Sequence, residues 1–315
     1  DSKKNEASFN SLTYKLNQRL FRADFTYYPA ANHKLEFGID ATNYSLMPGT
    51  QKPLGIESEV DYKSLKKENA IEPSVYFSDE FEISPRMIVS GGLRFTMYSL
   101  LGPGTKFIYT PDVPLSADYI TDTITYSSGH IIKVYPGVEF RFSSRFILAP
   151  DLSLKAGVQR NFQYLNMISN TTSMSPTDIW KLSDSYIKPQ RGDQYSLGIY
   201  KNLRRSAAEA SVEVYYKSLR NIIDYKGGAV LLMNEHLETD ILNGNGKAYG
   251  VEFMMKKQAG KLTGWIGYTY SRSLIKVDGE FDEEKILKID CINPITGNKK
   301  TSDDGYTPSN FTLYP

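Results

Sequence analysis

The side chains that most often carry catalysis or bind metals are sparse in this sequence of 315 residues. Its three histidines, His33, His130 and His236, lie far apart in the chain, and none has a second histidine or a cysteine at the spacing of zinc ligands. No Gly-x-Ser-x-Gly motif marks a nucleophilic serine. We therefore expect no metal site, no cofactor and no catalytic residue, and the sequence does not predict an enzyme.

Two glycine-rich stretches and one acidic cluster are the next candidates for binding chemistry. Asn243–Gly246 and Gly102–Gly104 are rich in glycine, but no strand-then-helix pattern surrounds them, as a phosphate-binding loop requires. The run Asp282–Glu284 is acidic, yet its spacing matches no calcium-binding loop. We interpret it as a solvated run of charge.

Aromatic residues in long polar segments are the most promising candidates for contact with a ligand. Aromatic rings stack on the faces of sugars or siderophores, while neighbouring amides and carboxylates form hydrogen bonds. We predict ligand contacts for five of them, which are Trp180, Tyr186, Tyr109, Tyr119 and Tyr126. The alternative for each one is packing among the loops themselves, and for any single residue that alternative is favoured.

The amino-acid composition indicates which class of protein contains these aromatic residues. Tyrosine and phenylalanine are frequent, at 23 and 15 residues, which suits sheets and interfacial aromatic girdles better than a helical enzyme. The formal net charge is only +1, so no nucleic-acid partner is expected. The single cysteine, Cys291, excludes an intrachain disulfide, and its role stays open.

Apolar side chains recur at every second residue in several long segments. In Met87–Tyr98 the odd-numbered positions form a largely apolar set, and the even-numbered ones are mostly polar or small. Leu152–Tyr164 and Ala208–Lys217 repeat the pattern, with Arg160 as the one charged residue in the apolar set of the first. These runs have about ten residues or more, which exceeds a typical globular strand and matches a strand that crosses a bilayer at a tilt.

Seven further segments fit the same alternation less cleanly, and they bring the prediction to about ten strands. They are Phe21–Tyr27, Lys34–Ala41, Ile71–Phe81, Ile132–Phe142, Gln194–Tyr200, Ala248–Lys256 and Leu262–Ser271. Because no run of about 18 apolar residues occurs, the sequence predicts no transmembrane helix.

The connections between these strands alternate strictly between short and long. The short ones are Pro29–His33, Ile83–Arg86, Ser143–Asp151, Leu203–Ser206 and Gln258–Gly260, and the long ones are Met47–Ala70, Leu101–His130, Ile168–Arg191 and Asp224–Lys247. Outer-membrane barrels have tight periplasmic turns on one rim and long extracellular loops on the other. The sequence therefore predicts an all-β, antiparallel transmembrane β-barrel, with lipid as a partner.

Four segments in order along the chain resemble the barrel strands of TonB-dependent outer-membrane receptors. They read KPQRGDQYSLG at Lys188–Gly198, AEASVEVYYK at Ala208–Lys217, NGNGKAYGVE at Asn243–Glu252 and GWIGYTYS at Gly264–Ser271. The similarity at residue level covers residues 188–273, and upstream only the architecture agrees. The resemblance implies a receptor of the bacterial cell outer membrane that binds a scarce nutrient and imports it.

The resemblance also implies that the chain is one part of a larger barrel. Complete barrels of this family have 22 strands, so we expect residues 1–315 to form a partial barrel domain, with strands and loops in 1–288 and a loop with a possible strand start in 289–315. The family's plug domain and TonB-contacting segment are not visible, so the TonB complex would be reached through an N-terminal region missing from this chain. The ligand would be an iron chelate, cobalamin, a glycan or a peptide.

Two other functions stay open at the level of sequence. A non-transporting outer-membrane barrel or adhesin would display the same long loops for attachment. An enzyme of the soluble β class would share the composition, since 40% hydrophobic residues and a mean hydropathy of −0.40 also describe a soluble protein. The alternation of connection lengths favours the barrel over this last class.

Overall fold

The computed structural model describes residues 10–54, 58–168, 178–203, 207–277 and 284–286, and it consists almost wholly of antiparallel strands. Ten long strands follow one another in a single sheet, with lengths from 12 to 21 residues. They are β1 (Asn10–Ala30), β2 (His33–Pro53), β4 (Glu68–Ser84), β5 (Met87–Leu101), β8 (Ile131–Ala149), β9 (Leu152–Gln163), β12 (Gln190–Leu203), β13 (Ala208–Tyr225), β14 (Ile241–Lys257) and β15 (Gly264–Val277).

The structure also has six shorter strands, of which β3 and β16 pair with this sheet and the other four form two separate hairpins. They are β3 (Lys63–Ser64), β6 (Gly104–Tyr109), β7 (Ile120–Tyr126), β10 (Leu165–Ile168), β11 (Ile179–Leu182) and β16 (Glu284–Ile286). Two short 3-10 turns, Ala117–Tyr119 and Leu237–Thr239, lie in connections. Within the described residues, no helix is long and apolar enough to span a membrane.

The strand register places large apolar side chains together on one face of the sheet. Phe25 pairs with Phe37, Phe37 with Phe77, Phe77 with Leu93, and Leu93 with Phe140. Most side chains of this row are exposed, and Leu93 is 62% exposed. Because a water-facing sheet would not show such a continuous apolar surface, this is the lipid-facing side of the wall. We call it the outer face.

Polar and charged side chains alternate onto the opposite face, which is the lumen side. Arg94 donates two hydrogen bonds to the carboxylate of Asp40, at 2.6 and 2.8 Å, and Ser74 donates a third at 2.7 Å. The Arg94 guanidinium also lies 3.7 Å from Glu139. Asp40 is 5% exposed, and both of its carboxylate oxygens accept hydrogen bonds from these donors. The sheet therefore has one apolar face and one polar face, as the alternation predicts.

The sheet is open, and it confirms the prediction of a partial barrel with about ten strands. Its order runs from β1 at one edge to β16 beyond β15 at the other, and within the described residues these two edges are not paired with each other. A closed barrel has no edge strands, so this chain supplies only a part of the wall.

The predicted short connections Pro29–His33, Ile83–Arg86 and Gln258–Gly260 lie at one end of the sheet, whereas residues 204–206 of the predicted connection Leu203–Ser206 lie outside the described residues. The connection predicted at Ser143–Asp151 is wrong in length, because β8 continues to Ala149 and only Pro150 and Asp151 form the turn. Phe146 and Leu148 are 42% and 48% exposed on the outer face. The apolar alternation therefore continues beyond Ser143 and Ser144, where the sequence predicted that the strand would end.

The long connections contain structure that the alternation did not predict. Residues 101–130 hold a hairpin in which β6 pairs with β7, and residues 165–182 hold a second one in which β10 pairs with β11. Both hairpins lie at the end of the sheet opposite to the short turns. Because long connections lie on the extracellular rim of outer-membrane barrels, we call this end the extracellular end.

The core of the molecule lies at the extracellular end, where loops fold over the lumen side. One buried cluster contains Tyr44, Leu46, Ala70, Tyr98, Leu100, Tyr164 and Leu182. A second contains Ile168, Ile179, Ile187, Leu231, Leu237 and Ile241. Tyr164, the last residue of the alternating segment Leu152–Tyr164, does not continue the apolar set of the outer face: β9 ends at Gln163, and the Tyr164 ring stacks on Tyr98 at 4.7 Å with 3% exposure.

Candidate ligand-binding site

A cavity of about 250 Å³ lies among the extracellular loops. It is formed by parts of four connections that are distant in sequence, which are residues 64–68, 101–107, 179–186 and 231–238. Its floor includes Glu68 and Leu100 at the upper ends of β4 and β5. Leu100 has the same strand parity as Arg94 on β5, so this floor belongs to the lumen side of the wall.

One ammonium group joins two of these segments at the cavity. The Nζ atom of Lys181 lies 2.5 Å from a carboxylate oxygen of Glu68 and 3.0 Å from one of Asp184. The backbone N–H of Leu182 donates to the second oxygen of Glu68 at 3.1 Å. Burial by itself would lower the pKa of Lys181, but the charges of Glu68 and Asp184 outweigh it and raise that pKa, so the lysine stays charged.

Two tyrosines connect the β6–β7 hairpin with the neighbouring loops. The Tyr109 hydroxyl donates to Glu238 at 2.6 Å, and the Tyr186 hydroxyl donates to the carbonyl oxygen of Phe107. The rings of Tyr109 and Tyr186 meet edge to face at 5.4 Å. Burial raises the pKa of both hydroxyls, helped in each case by the nearby Glu238 carboxylate, so both stay protonated donors.

Further contacts close the loops against one another around the cavity. The ring of Phe107 lies 4.5 Å from that of His236. Lys66 donates a hydrogen bond to Thr105 at 2.6 Å, which ties the connection after β3 to the start of β6. The walls of the cavity are therefore held by contacts from one loop to another and not by any single element.

The five aromatic residues predicted to contact a ligand occupy different environments. Tyr186 lines the cavity, and Tyr109 lies behind it with 8% exposure. Trp180 packs against the buried cluster around Tyr44. Tyr119 and Tyr126 belong to the β6–β7 hairpin, and neither lines the cavity. Tyr119 is 47% exposed. The structure thus brings Tyr109 and Tyr186 together and leaves the other three apart.

The sequence did not single out several residues that line the cavity. They include Lys66, Lys106, Phe107, Lys181, Asp184 and Glu238. No local signal marks them, because the cavity forms only where four separate loops converge. Its lining combines apolar surface with ammonium and carboxylate groups, a mixture that can hold a small polar or amphipathic ligand and orient it.

A model of a known protein family matches nearly the whole chain. It is described as "TonB dependent receptor-like, beta-barrel", and it matches residues 2–310. The match extends well upstream of the four motif strands at residues 188–273. A sequence search of curated proteins found no match.

Solved structures of outer-membrane receptors have a similar fold. The FrpB iron transporter from Neisseria meningitidis superposes with a TM-score of 0.55 at 13% identity, over 87% of this chain and 37% of that protein. The ferric yersiniabactin uptake receptor FyuA from Yersinia pestis gives 0.53 at 13% identity, over 84% and 36%. The ferric-catecholate import receptor Fiu from K12 E. coli gives 0.50 at 13%, over 85% and 39%. The chain thus spans less than two fifths of the length of these receptors.

Proposed function

This chain belongs to the TonB-dependent receptor family, and from that premise we propose that it is part of a receptor that binds a nutrient and imports it. It is an outer-membrane β-barrel domain, with lipid on the outer face and the lumen on the polar face. We propose residues 1–288 as strands and loops of the partial barrel, and residues 289–315 as a loop with the start of a strand. The segment 287–315 lies outside the described residues.

The observation that carries the proposal is the cavity over the lumen side of the wall. It is enclosed by four loops at the extracellular end, and its floor is made by lumen-facing strand ends such as Leu100. A ligand bound there would lie on the path from the outside into the barrel. The contacts of Lys181, Tyr109 and Tyr186 hold this cavity in shape before a ligand arrives, which lowers the entropy cost of binding.

The rest of the mechanism extends beyond this chain. We propose that energy from TonB reaches the receptor through a plug region that precedes the barrel, and that the protein transports its ligand without chemical change. The named similar structures are iron or ferric-siderophore receptors, so an iron chelate is the first ligand class to test. Cobalamin, glycans and peptides are the others.

The test is growth on a limiting nutrient. A deletion strain complemented with the full-length receptor is grown with single iron chelates, cobalamin, glycans or peptides as the limiting source. The variant Ser185→Trp adds an indole to the cavity lining. We expect this variant to need an at least tenfold higher concentration of one source for the same growth, because the ring occupies space that the ligand needs. Growth on unrelated sources should be unchanged.

The matched control adds the same indole elsewhere on the loops. Val113 is 38% exposed and does not line the cavity, so Val113→Trp should grow as the wild type does. Equal surface levels of both variants must be verified by labelling intact cells. If deletion of the receptor leaves growth on every source unchanged but abolishes attachment to a surface, the import proposal is wrong and the adhesin alternative is favoured.

A further inference from the structure

The upper half of β8 has a strand on only one of its two sides. β5 pairs with β8 as far as its first residue, Ile131, whereas the pairing of β8 with β9 ends at Phe140 opposite Arg160. Within the described residues, no strand pairs with the β9 side of Ile131–Glu139. Pro136 lies in this stretch, and proline suits an unpaired strand edge because it has no N–H. A seam therefore separates β8 from β9 at the extracellular end of the wall.

Beyond its last pair with β8, the chain of β9 passes behind that strand, on the lumen side, instead of beside it. The backbone N–H of Phe162 donates to the side chain of Glu139 at 3.1 Å, and Glu139 faces the lumen because it pairs with Arg94. A methyl group added at Gly137 would meet the Tyr164 hydroxyl at 2.6 Å and the Phe162 ring at 3.2 Å. Both rings therefore lie on the lumen face of β8, and a side chain at Gly137 would displace them.

β10 and β11 follow this inward path, and we call the two strands together the inner hairpin. Three polar contacts tie it and the residues just after it to the wall, which are Lys181 with Glu68 on β4 at 2.5 Å, the Ser183 carbonyl with Tyr98 on β5 at 2.8 Å and the Asp184 carbonyl with Tyr135 on β8 at 2.6 Å. Ile179 and Lys181 line the extracellular cavity, and Leu182 packs in the buried cluster around Tyr44. One side of the inner hairpin therefore lines the cavity, and the other covers lumen-facing side chains of the wall.

Several buried polar groups make this inward position costly. Asn166 of β10 is fully buried, and neither its amide nitrogen nor its amide oxygen has a hydrogen-bond partner among the described residues. The same is true of the hydroxyls of Ser183 and Tyr164, which are 0% and 3% exposed. Such groups give up their hydrogen bonds to water without replacement, which destabilises the state that buries them. The inner hairpin is therefore held inward by a few specific contacts that act against an unfavourable burial.

The open side of β8 offers the same chain a second position. Continued one residue at a time from its last pair, the register of β8 and β9 brings Met167 opposite Lys133 and fills the seam. In that position Phe162 and Tyr164 point to the outer face, beside Val138, which is 53% exposed. The sequence places both rings in the alternating apolar set of β9, and this set matches the second position and not the first.

We propose that the inner hairpin is a gate with these two positions. Folded inward, it separates the cavity from the lumen. When β9 and β10 pair with the open side of β8, the wall is completed and the cavity opens to the lumen. Because Lys181 lines the cavity, a ligand that binds its ammonium group competes with Glu68 and shifts the population towards the paired position. The role of the gate in import rests on the function proposed above, whereas the two positions do not depend on it.

Disulfide formation detects the paired position in the full-length receptor, after its own cysteines have been replaced by serine. The pair Lys133→Cys/Met167→Cys joins residues that lie directly opposite each other only when β10 pairs with β8. The pair Lys133→Cys/Leu165→Cys is the control, since its residues are two positions out of register. We expect Lys181→Met, which removes the contact with Glu68, to raise the rate of disulfide formation in the first pair by roughly tenfold or more, and to leave the control pair much slower.

A second variant releases the hairpin without removing a charge. The methyl group of Gly137→Ala meets the rings of Phe162 and Tyr164 in the inward position, so this variant should also accelerate the first pair. Lys201→Met breaks a solvated ion pair with Asp151 and should leave both rates unchanged. Each variant must migrate as a folded barrel in an unheated gel.

Thiol labelling measures whether the lumen side is uncovered. Ala70 is fully buried in the same cluster as Leu182. In the Lys181→Met background, the thiol of Ala70→Cys should react with a membrane-impermeant maleimide on intact cells roughly tenfold faster than in the wild-type background.

Three results would overturn the proposal. They are equal rates for the two cysteine pairs in Lys181→Met, which would indicate a loose hairpin without a second position, an unchanged rate for Lys133→Cys/Met167→Cys in both releasing variants, and unchanged labelling of Ala70→Cys. Neither measurement uses a nutrient. If the growth test shows no import, these rates are still expected to change, so the gate and the import function can fail separately.

Discussion

Lys181 shows how single residues hold the extracellular loops in place. Its ammonium group satisfies Glu68 at the top of β4 and Asp184 in the following loop, and all three side chains are mostly buried. Of the aromatic residues chosen from the sequence, Tyr109 and Tyr186 hold loops together, which is the packing alternative. Their contact with a ligand stays a prediction. The partners of these residues lie far along the chain, so no sequence pattern could reveal them.

Removal of the Lys181 charge should open the β10–β11 hairpin. The variant Lys181→Met leaves two buried carboxylates without their cation, and loss of one member of a buried pair costs about 3 kcal/mol. We expect amide hydrogen exchange in Ile179–Leu182 to become roughly 100-fold faster.

The matched control breaks a solvated ion pair. Lys201 lies 2.8 Å from Asp151, but the two side chains are 45% and 31% exposed. Lys201→Met should therefore change local stability by less than about 1 kcal/mol. If Lys181→Met leaves exchange in the hairpin as slow as in the wild type, the bridge does not hold these loops together.

The sequence predicted the strands whose apolar alternation is contained within the strand itself. It did not predict the strands that depend on contacts with distant parts of the chain. The ten long strands follow from alternation over about ten residues, which the sequence displays directly. The hairpins β6–β7 and β10–β11 are short, with 6 and 4 residues in their first strands, and depend on loops that fold over them. The inward turn of Tyr164 also depends on a distant partner, since Tyr98 on β5 receives its ring.

Close strand approach makes one glycine of β2 necessary. A methyl group added at Gly38 would meet the carbonyl oxygen of Ala23 on β1 and the hydroxyl of Tyr76 on β4. Because the first of these is backbone, the strands themselves would have to move. We expect Gly38→Ala to lower the free energy of unfolding by about 1–3 kcal/mol.

The measurement for this variant is urea unfolding of the full-length receptor in lipid vesicles, followed by tryptophan fluorescence. Gly91 on β5 is the matched control, since a methyl group there meets only the Phe142 ring, at an ordinary 3.7 Å. Gly91→Ala should be neutral or slightly stabilising, because alanine loses less backbone entropy than glycine on folding. Equal effects of the two variants would contradict the assigned register of β1, β2 and β4.

At the scale of the whole molecule, the chain is a two-sided wall that needs a membrane on one side. The sequence was sufficient for this fold, because the apolar set, the strand lengths and the alternating connections all agree. It was not sufficient for the site, because the cavity forms only where residues 64–68 and 231–238, far apart in sequence, meet above the lumen. Nor could the sequence show that Arg160 has Asp193 and Arg191 as neighbours on the outer face.

The most direct test of the account is the accessibility of one strand in the full-length receptor. Nitroxide labels are placed singly at residues 211–216 of β13, in lipid nanodiscs, and their collisions with dissolved oxygen are measured. We predict collision maxima at Val212, Val214 and Tyr216, which face lipid, and minima at Glu213 and Tyr215, which face the lumen. A profile without a period of two, or with the opposite phase, would contradict the membrane wall on which both proposals depend.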